Sequence, residues 1–339
     1  MPLKILICDT NEDLVELLKD DKVFGEIKFC KELVDLDNKN LDKYDICLMN
    51  PNLHKKDLEQ IISTFNKKKI PILMILENPK DIEYVIEGLS LGAFDYFHKA
   101  PISILDESQI EANMQNIIEK ISFAIDSKDK IRTTAQELST DLNYDFTSSS
   151  KKLVIIGSST GGPQSLERVV PLLPKEIPSS IIIVQHMPEE FTGKLASRLD
   201  KISNIKVKEA EEGEELKKGV CYIAKGNHHL ELIKKNNNIH LTLNKKEKLH
   251  GTRPSVDITM QSATKYFGKN ILGIIMTGMG SDGTIGAKKI KEKGGTVIAQ
   301  SERTSIIYGM PKSVILKGYY DEIVDLDKIP VAILQILEV

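Results

Sequence analysis

A serine, a histidine and an aspartate stand in this chain where side chains of their kinds could share acyl-transfer chemistry. Gly157-Ser158-Ser159-Thr160-Gly161-Gly162, Gln185-His186-Met187-Pro188 and Thr277-Gly278-Met279-Gly280-Ser281-Asp282-Gly283 each follow an apolar run that reads as a buried strand. Ser159, His186 and Asp282 therefore fall just past three strand ends, the edge where open α/β sheets build their sites. A serine hydroxyl is a poor nucleophile until an imidazole removes its proton. A buried carboxylate then holds that imidazole in one tautomer and stabilises its charged form. The first segment also has the G-x-S-x-G spacing of a sharp strand-to-helix turn, with Ser159 at its centre. The Thr160 N–H, next to that hydroxyl, is a candidate oxyanion donor, and one good donor is worth about 3 kcal/mol in the transition state.

Each residue also has a plainer reading. Ser158, Ser159 and Thr160 could cap a helix starting near Pro163, and Asp282 could cap one over Thr284 to Lys293. Asp257 is a rival acid, although its place at a helix start favours capping. Among the other histidines, His54 and His98 belong to the first half and His240 to a hairpin strand. His228 and His229 are adjacent and would face opposite ways if extended. His250, in a polar loop, is a backup base. A phosphate loop at Gly157 to Gly162 is disfavoured, because that segment has neither G-x-G-x-x-G spacing nor a G-K-[ST] ending.

The elements that must position these residues form two α/β patterns. Apolar runs at Leu3 to Cys8, Asp45 to Met49, Ile70 to Leu76 and Phe94 to Phe97 alternate with amphipathic stretches such as Glu12 to Leu18 and Asp81 to Leu91. That alternation predicts a doubly wound parallel sheet. A helix follows over Ser108 to Ile125, and the polar interval 126–150 reads as a linker. Alternation resumes with runs at Leu153 to Ile156, Ile181 to Gln185, Val220 to Ala224, Ile271 to Met276 and Thr296 to Ala299. Between the third and fourth, His229 to Ile233 and Ile239 to Leu243 flank a polar Lys234 to Asn238 turn, which predicts an inserted hairpin. The fold class is α/β, with a first domain over 1–125 and a second over 151–339.

Composition agrees with that division. A chain of 339 residues has a prior of about two domains. A formal net charge of -3 supplies no basic excess for nucleic acid or a membrane surface. Cys8, Cys30, Cys47 and Cys221 lack metal or redox spacing and read as reduced core residues. No apolar stretch approaches a membrane span and the N-terminal run is too short for a secretory segment, so the expectation is a cytoplasmic protein without membrane insertion.

Five segments in order, Ile156-Gly157-Ser158-Ser159-Thr160-Gly161-Gly162, Gln185-His186-Met187-Pro188, Arg253-Pro254-Ser255-Val256-Asp257, Thr277 to Gly283 and Gly309-Met310-Pro311, resemble the signature of the chemotaxis protein-glutamate methylesterase family. The resemblance covers nearly all of Lys152 to Val339, and the first half resembles the flavodoxin-like receiver domain that precedes the esterase in that family. It implies a Rossmann-like catalytic domain with Ser159 as nucleophile, His186 as base and then acid, Asp282 as orienting carboxylate, and Met279 N–H beside Thr160 N–H at the oxyanion. It implies hydrolysis of glutamyl methyl esters on the cytoplasmic helices of methyl-accepting chemotaxis receptors, with deamidation of receptor glutamines as a companion activity. A chemotaxis histidine kinase is a second candidate partner. Acyl transfer of this kind calls for no metal or organic cofactor. A non-enzymatic receptor-binding adaptor and a serine hydrolase of another ester or amide are the competing functions. Arg253 reads as a loop support in preference to a receptor contact.

The first half departs from the receiver pattern. Asn50 stands where a receiver carries its phosphorylated aspartate, and an amide cannot form the acyl phosphate. Asp9 is followed by Thr10, which removes an acidic ligand from the expected Mg²⁺ pocket. Leu76 replaces a hydroxyl residue, and only Lys99 matches. The expectation is a domain that does not use the ordinary phosphorylation switch.

Overall fold

Short apolar runs with amphipathic partners bury themselves as parallel strands covered by helices. In the first unit of the computed structural model these are β1 (Leu3–Cys8), α1 (Asp13–Leu18), β2 (Phe24–Cys30), β3 (Ile46–Met49), α2 (Leu58–Lys67), β4 (Ile72–Leu76), α3 (Ile82–Leu91), β5 (Asp95–His98) and α4 (Glu107–Asp126). The strands lie in the order β2-β1-β3-β4-β5, all parallel. That is the flavodoxin-like order, whose sites open at the carboxyl ends of the strands. The structure describes residues 2–19, 21–31, 38–54, 57–99, 106–128 and 152–338.

The second unit runs through β6 (Lys152–Ser158), α5 (Gly162–Val169), β7 (Ser179–Gln185), α6 (Glu189–Ile202), β8 (Lys206–Glu209), β9 (Val220–Ile223), β10 (His229–Lys235), β11 (Asn238–Asn244) and α7 (Val256–Phe267). It closes with β12 (Ile271–Ile275), α8 (Thr284–Glu292), β13 (Thr296–Gln300), α9 (Met310–Leu316), β14 (Glu322–Val324) and α10 (Ile329–Glu338). Seven strands form one parallel sheet in the order β14-β13-β12-β6-β7-β9-β8. The chain winds outward from β6 through β7, then returns to β12 on the other flank. The reversal opens a crevice above β12, β6 and β7, the usual ligand position of such sheets. The predicted hairpin is β10 paired antiparallel with β11, as a separate two-stranded sheet. It is tied to α7 by Thr259 Oγ1 donating to Leu230 O at 2.8 Å and by Leu232 N donating to Ser262 Oγ at 3.1 Å.

The chain divides into Met1–Gln136 and Glu137–Val339, a boundary inside the expected 126–150 linker. The part of that linker from 129 to 150 lies outside the described residues. Three strands have no counterpart in the sequence expectation: β2, β8 and β14. All three are sheet edges, and Lys206-Val207-Lys208-Glu209 and Glu322-Ile323-Val324 carry charges because one side faces water. No long apolar run is needed there. The four cysteines are buried and free, as expected. Among the described residues no helix is long and apolar enough to cross a membrane.

Ile155 lies at the centre of the second core, on β6 between Gly273 and Ile182, with no exposed surface. Ile155→Ala should lower the unfolding free energy of that unit by about 2–5 kcal/mol, through lost transfer energy and the cavity left behind. Urea denaturation followed by a probe in residues 152–338 measures it, and a loss below about 1 kcal/mol would contradict this packing.

Candidate active site

Strand register brings two of the three sequence candidates to one edge. Ser158 on β6 pairs with Gln185 on β7, so Ser159 and His186 leave their strands at matching positions. The His186 N–H donates to Ser158 O at 3.0 Å, and the Ser159 N–H donates to Thr277 O at 3.0 Å in the loop after β12. The same loop touches the Ser159 turn at Gly278, where a Cβ would lie 2.7 Å from Ser159 Cβ. A side chain at 278 could not make that approach without something shifting. The capping reading of the hydroxyls does not hold: the N-cap of α5 is Gly161 at φ 75°, with no side-chain cap.

Asp282 joins from the loop that follows β12. Its Oδ2 lies 2.9 Å from His186 Nε2. It does not cap α8, whose N-cap is Gly283 without a side-chain bond. Its carboxylate instead meets the start of α7, accepting from Val256 N at 2.7 Å, Asp257 N at 3.0 Å and Ser255 Oγ at 2.9 Å, and it also takes Gly283 N at 2.9 Å. With 2 % exposure this group is almost wholly removed from water. Burial opposes its ionisation, but the His186 bond and charge and the main-chain donors outweigh it, holding the carboxyl below its ordinary pKa. The anion also gains from the positive end of α7. With Nε2–H given to Asp282, the His186 lone pair lies on Nδ1, the reverse of the common triad in which Nδ1 faces the acid. The Ser159 Oγ makes no hydrogen bond among the described residues, a frequent condition of catalytic hydroxyls before substrate is bound.

The rival acid and the backup base are found together, paired with each other and not with His186. His250 Nε2 lies 3.1 Å from Asp257 Oδ2, while Asp257 Oδ1 accepts from Gly286 N at 2.6 Å in α8. Asp257 therefore pins α8 to the first turn of α7, where capping of its own helix was expected; Ser255 holds that position. Burial, together with the nearby Asp282 charge, pushes the Asp257 carboxyl up despite the bonds from Gly286 and His250. Ligand atoms of His250, Asp257 and Asp282 lie within 4.8 Å of one another. Both carboxylates are already filled by the donors above, so the cluster fits ion pairing better than a metal.

A cavity of about 460 Å³ opens beside His186, lined among others by Glu190, Asn227, Lys248 and Arg253. Its size is that of an ordinary ligand site. Arg253 supports the loop, as expected: Nη1 donates to Lys245 O at 2.9 Å and Lys246 O at 2.8 Å, and Nη2 to Asn227 Oδ1 at 2.6 Å.

In the first unit the structure brings Asp9, Thr10, Asn50 and Lys99 to the carboxyl ends of β1, β3 and β5. Lys99 Nζ donates to Asp9 Oδ2 at 2.6 Å, Asn11 Oδ1 at 2.6 Å and Glu77 Oε1 at 2.8 Å. Asn50 Nδ2 donates to Asp9 Oδ1 and Glu77 Oε2, each at 2.9 Å, and the Thr10 N–H to Asp9 Oδ1 at 2.7 Å. Burial works against the Lys99 ammonium, but Asp9 and Glu77 more than compensate and hold its pKa above the ordinary value. Leu76 is buried in the strand and pairs with His98. Glu77 is the residue the sequence reading missed. Its signal was a carboxylate immediately after a wholly apolar strand, at the site edge of the sheet.

Residues 154–333 match the family model described as CheB methylesterase. The chain is 37% identical over 350 residues to the Thermotoga maritima protein named protein-glutamate methylesterase/protein-glutamine glutaminase, covering 99% of this chain and 98% of that one. It is 38% identical over 332 residues to a protein of the same name from Methanococcoides burtonii, covering 96% and 93%. The crystal structure of the Thermotoga maritima CheB methylesterase catalytic domain matches with a TM-score of 0.54 at 49% identity, covering 55% of this chain and 99% of that one. The chain belongs to the CheB methylesterase family.

Proposed function

We propose that this protein hydrolyses glutamyl methyl esters on the cytoplasmic helices of chemoreceptors, with Ser159, His186 and Asp282 as its catalytic triad. The observation that carries the reading is the His186–Asp282 pair, 2.9 Å apart, one strand over from Ser159 at the sheet's switch point. His186 Nδ1 takes the Ser159 proton as Oγ attacks the ester carbonyl. The resulting oxyanion is met by the N–H groups of Thr160 and Met279. Imidazolium then protonates the departing methoxide, giving methanol and an acyl-serine. Water, deprotonated by His186, attacks that ester, and glutamate leaves with Ser159 restored. The names of the relatives support glutaminase activity by the same path, with ammonia as the leaving group. An adaptor without activity finds no support in this site, where the base is braced by an anion with five donors.

The first unit is read as a receiver-like domain that does not take a phosphoryl group. Asn50 offers an amide in place of a carboxylate, and its N–H groups, with the Lys99 ammonium, are already spent on Asp9 and Glu77. A docking or constitutive gating role is the function left to it.

Methanol release from methylated receptor tests the first reading. Ser159→Ala should lower kcat by about 10⁴-fold or more, and Asp282→Asn by about 10³–10⁴-fold through loss of the imidazole's orientation. Equal activity of wild type and Ser159→Ala would end the proposal, whereas turnover of other esters alone would redirect it. For the second reading, incubation with acetyl phosphate and Mg²⁺ should leave residues 1–125 unlabelled; a hydroxylamine-labile phosphate there would refute it.

A further inference from the structure

We propose that Gln185 is a positioning residue whose side-chain amide locks the backbone of the nucleophile turn to the backbone of the base. Gln185 ends β7 with 1 % exposure. A primary amide has two N–H donors and a carbonyl acceptor, and here each end meets a complementary group. Nε2 donates to Ser159 O at 2.9 Å and to His186 O at 3.2 Å, and Oε1 accepts from Ser158 Oγ at 2.6 Å. One rigid planar group thus spans the carbonyls of the two residues whose separation sets proton transfer. The Ser158 hydroxyl fixes which way the amide faces.

The surrounding chain is shaped around this group. A Cβ on Gly162 would fall 1.9 Å from Gln185 Oε1 and 3.0 Å from Ser158 Oγ, so any larger residue there would displace the amide. The Gly162 N–H donates to the same Ser159 carbonyl at 2.8 Å. Strand pairing alone does not hold the turn, because the β6–β7 ladder ends at Ser158 and Gln185. Beyond it, His186 N–H to Ser158 O and the Gln185 amide bonds tie the Ser159 side of the crevice to the His186 side. Misplacement of reacting groups by about 1 Å can cost roughly 10²-fold in rate. Gln185 touches no substrate atom in this argument and acts through Ser159 and His186.

The inference rests on the hydrolase reading for the role of Ser159, and its test separates the two. The full chain is treated with a fluorophosphonate, which forms an Oγ–P bond at Ser159 as fluoride leaves and His186 takes the hydroxyl proton. Labelling stoichiometry counts folded sites, and the rate constant reports how well they are poised. Gln185→Leu removes both ends of the clamp. Gln185→Glu keeps an acceptor for Ser158 but, ionised, gives nothing to the two carbonyls. Both should label to completion with a rate constant about 10²-fold lower, and should lower kcat on methylated receptor while KM changes little. Ser158→Ala should slow labelling roughly tenfold, as expected for one lost buried hydrogen bond, and should add nothing on the Gln185→Leu background. If Gln185→Leu fails to fold, Gln185→Glu and Ser158→Ala decide. Wild-type rate constants in the Gln185 variants, a loss of stoichiometry at unchanged rate constant, or additive effects in the double variant would overturn the clamp. An unlabelled wild type would instead remove the hydrolase reading on which it stands.

Discussion

A buried anion organises the second unit. The Asp282 carboxylate is withdrawn from water, and an ion so placed costs several kcal/mol unless its lone pairs are filled. Here they are filled from three directions: the first turn of α7 with its Ser255 cap, the Gly283 N–H at the entrance to α8, and the His186 ring. The same contacts that keep the acid charged therefore set two helices and one histidine relative to the sheet. Asp257 extends the constraint by tying the α7 start to Gly286, and His250 offsets part of the second charge. Two carboxyls so near each other are pushed in opposite directions, Asp282 down and Asp257 up, because only the first meets enough donors. Divergent environments for paired acids are a common mark of assigned roles.

The first unit solves a similar electrostatic problem to a different end. Asp9 and Glu77 are drawn together by one lysine and one amide, and the bonds close on themselves. In the second unit the chain of bonds ends at His186, whose Nδ1 makes no hydrogen bond among the described residues and whose side chain lines the cavity. A polar network that satisfies itself stabilises a shape, whereas one left open at a cavity can act on something else.

The candidate catalytic residues were legible because Ser159, His186 and Asp282 each sit in a short local pattern just past an apolar run. The central strands were legible for the same reason: Val, Ile and Leu in sequence have few places to go but a doubly covered sheet. Edge strands β2, β8 and β14 were not, because a strand half in water needs no apolar run. Hydroxyls near Pro163 and the acids at 257 and 282 looked like helix caps, and local spacing could not reject that. Helix α5 instead starts at a left-handed glycine, and Asp282 serves a helix that begins 26 residues before it.

By itself the sequence determined the two α/β units, the parallel winding of their cores, the inserted hairpin and the residue types able to perform acyl transfer, all of which follow from local periodicity and spacing. Tertiary structure alone decided which carboxylate meets which histidine, that Gln185 bridges two backbones, and that Glu77 fills the pocket around Lys99. Those pairings join residues far apart in the chain, and hydrogen-bond geometry becomes selective only after packing has fixed the strand register. A buried charge then accepts the partners that packing brings within about 3 Å, which no pattern of neighbours along the chain encodes.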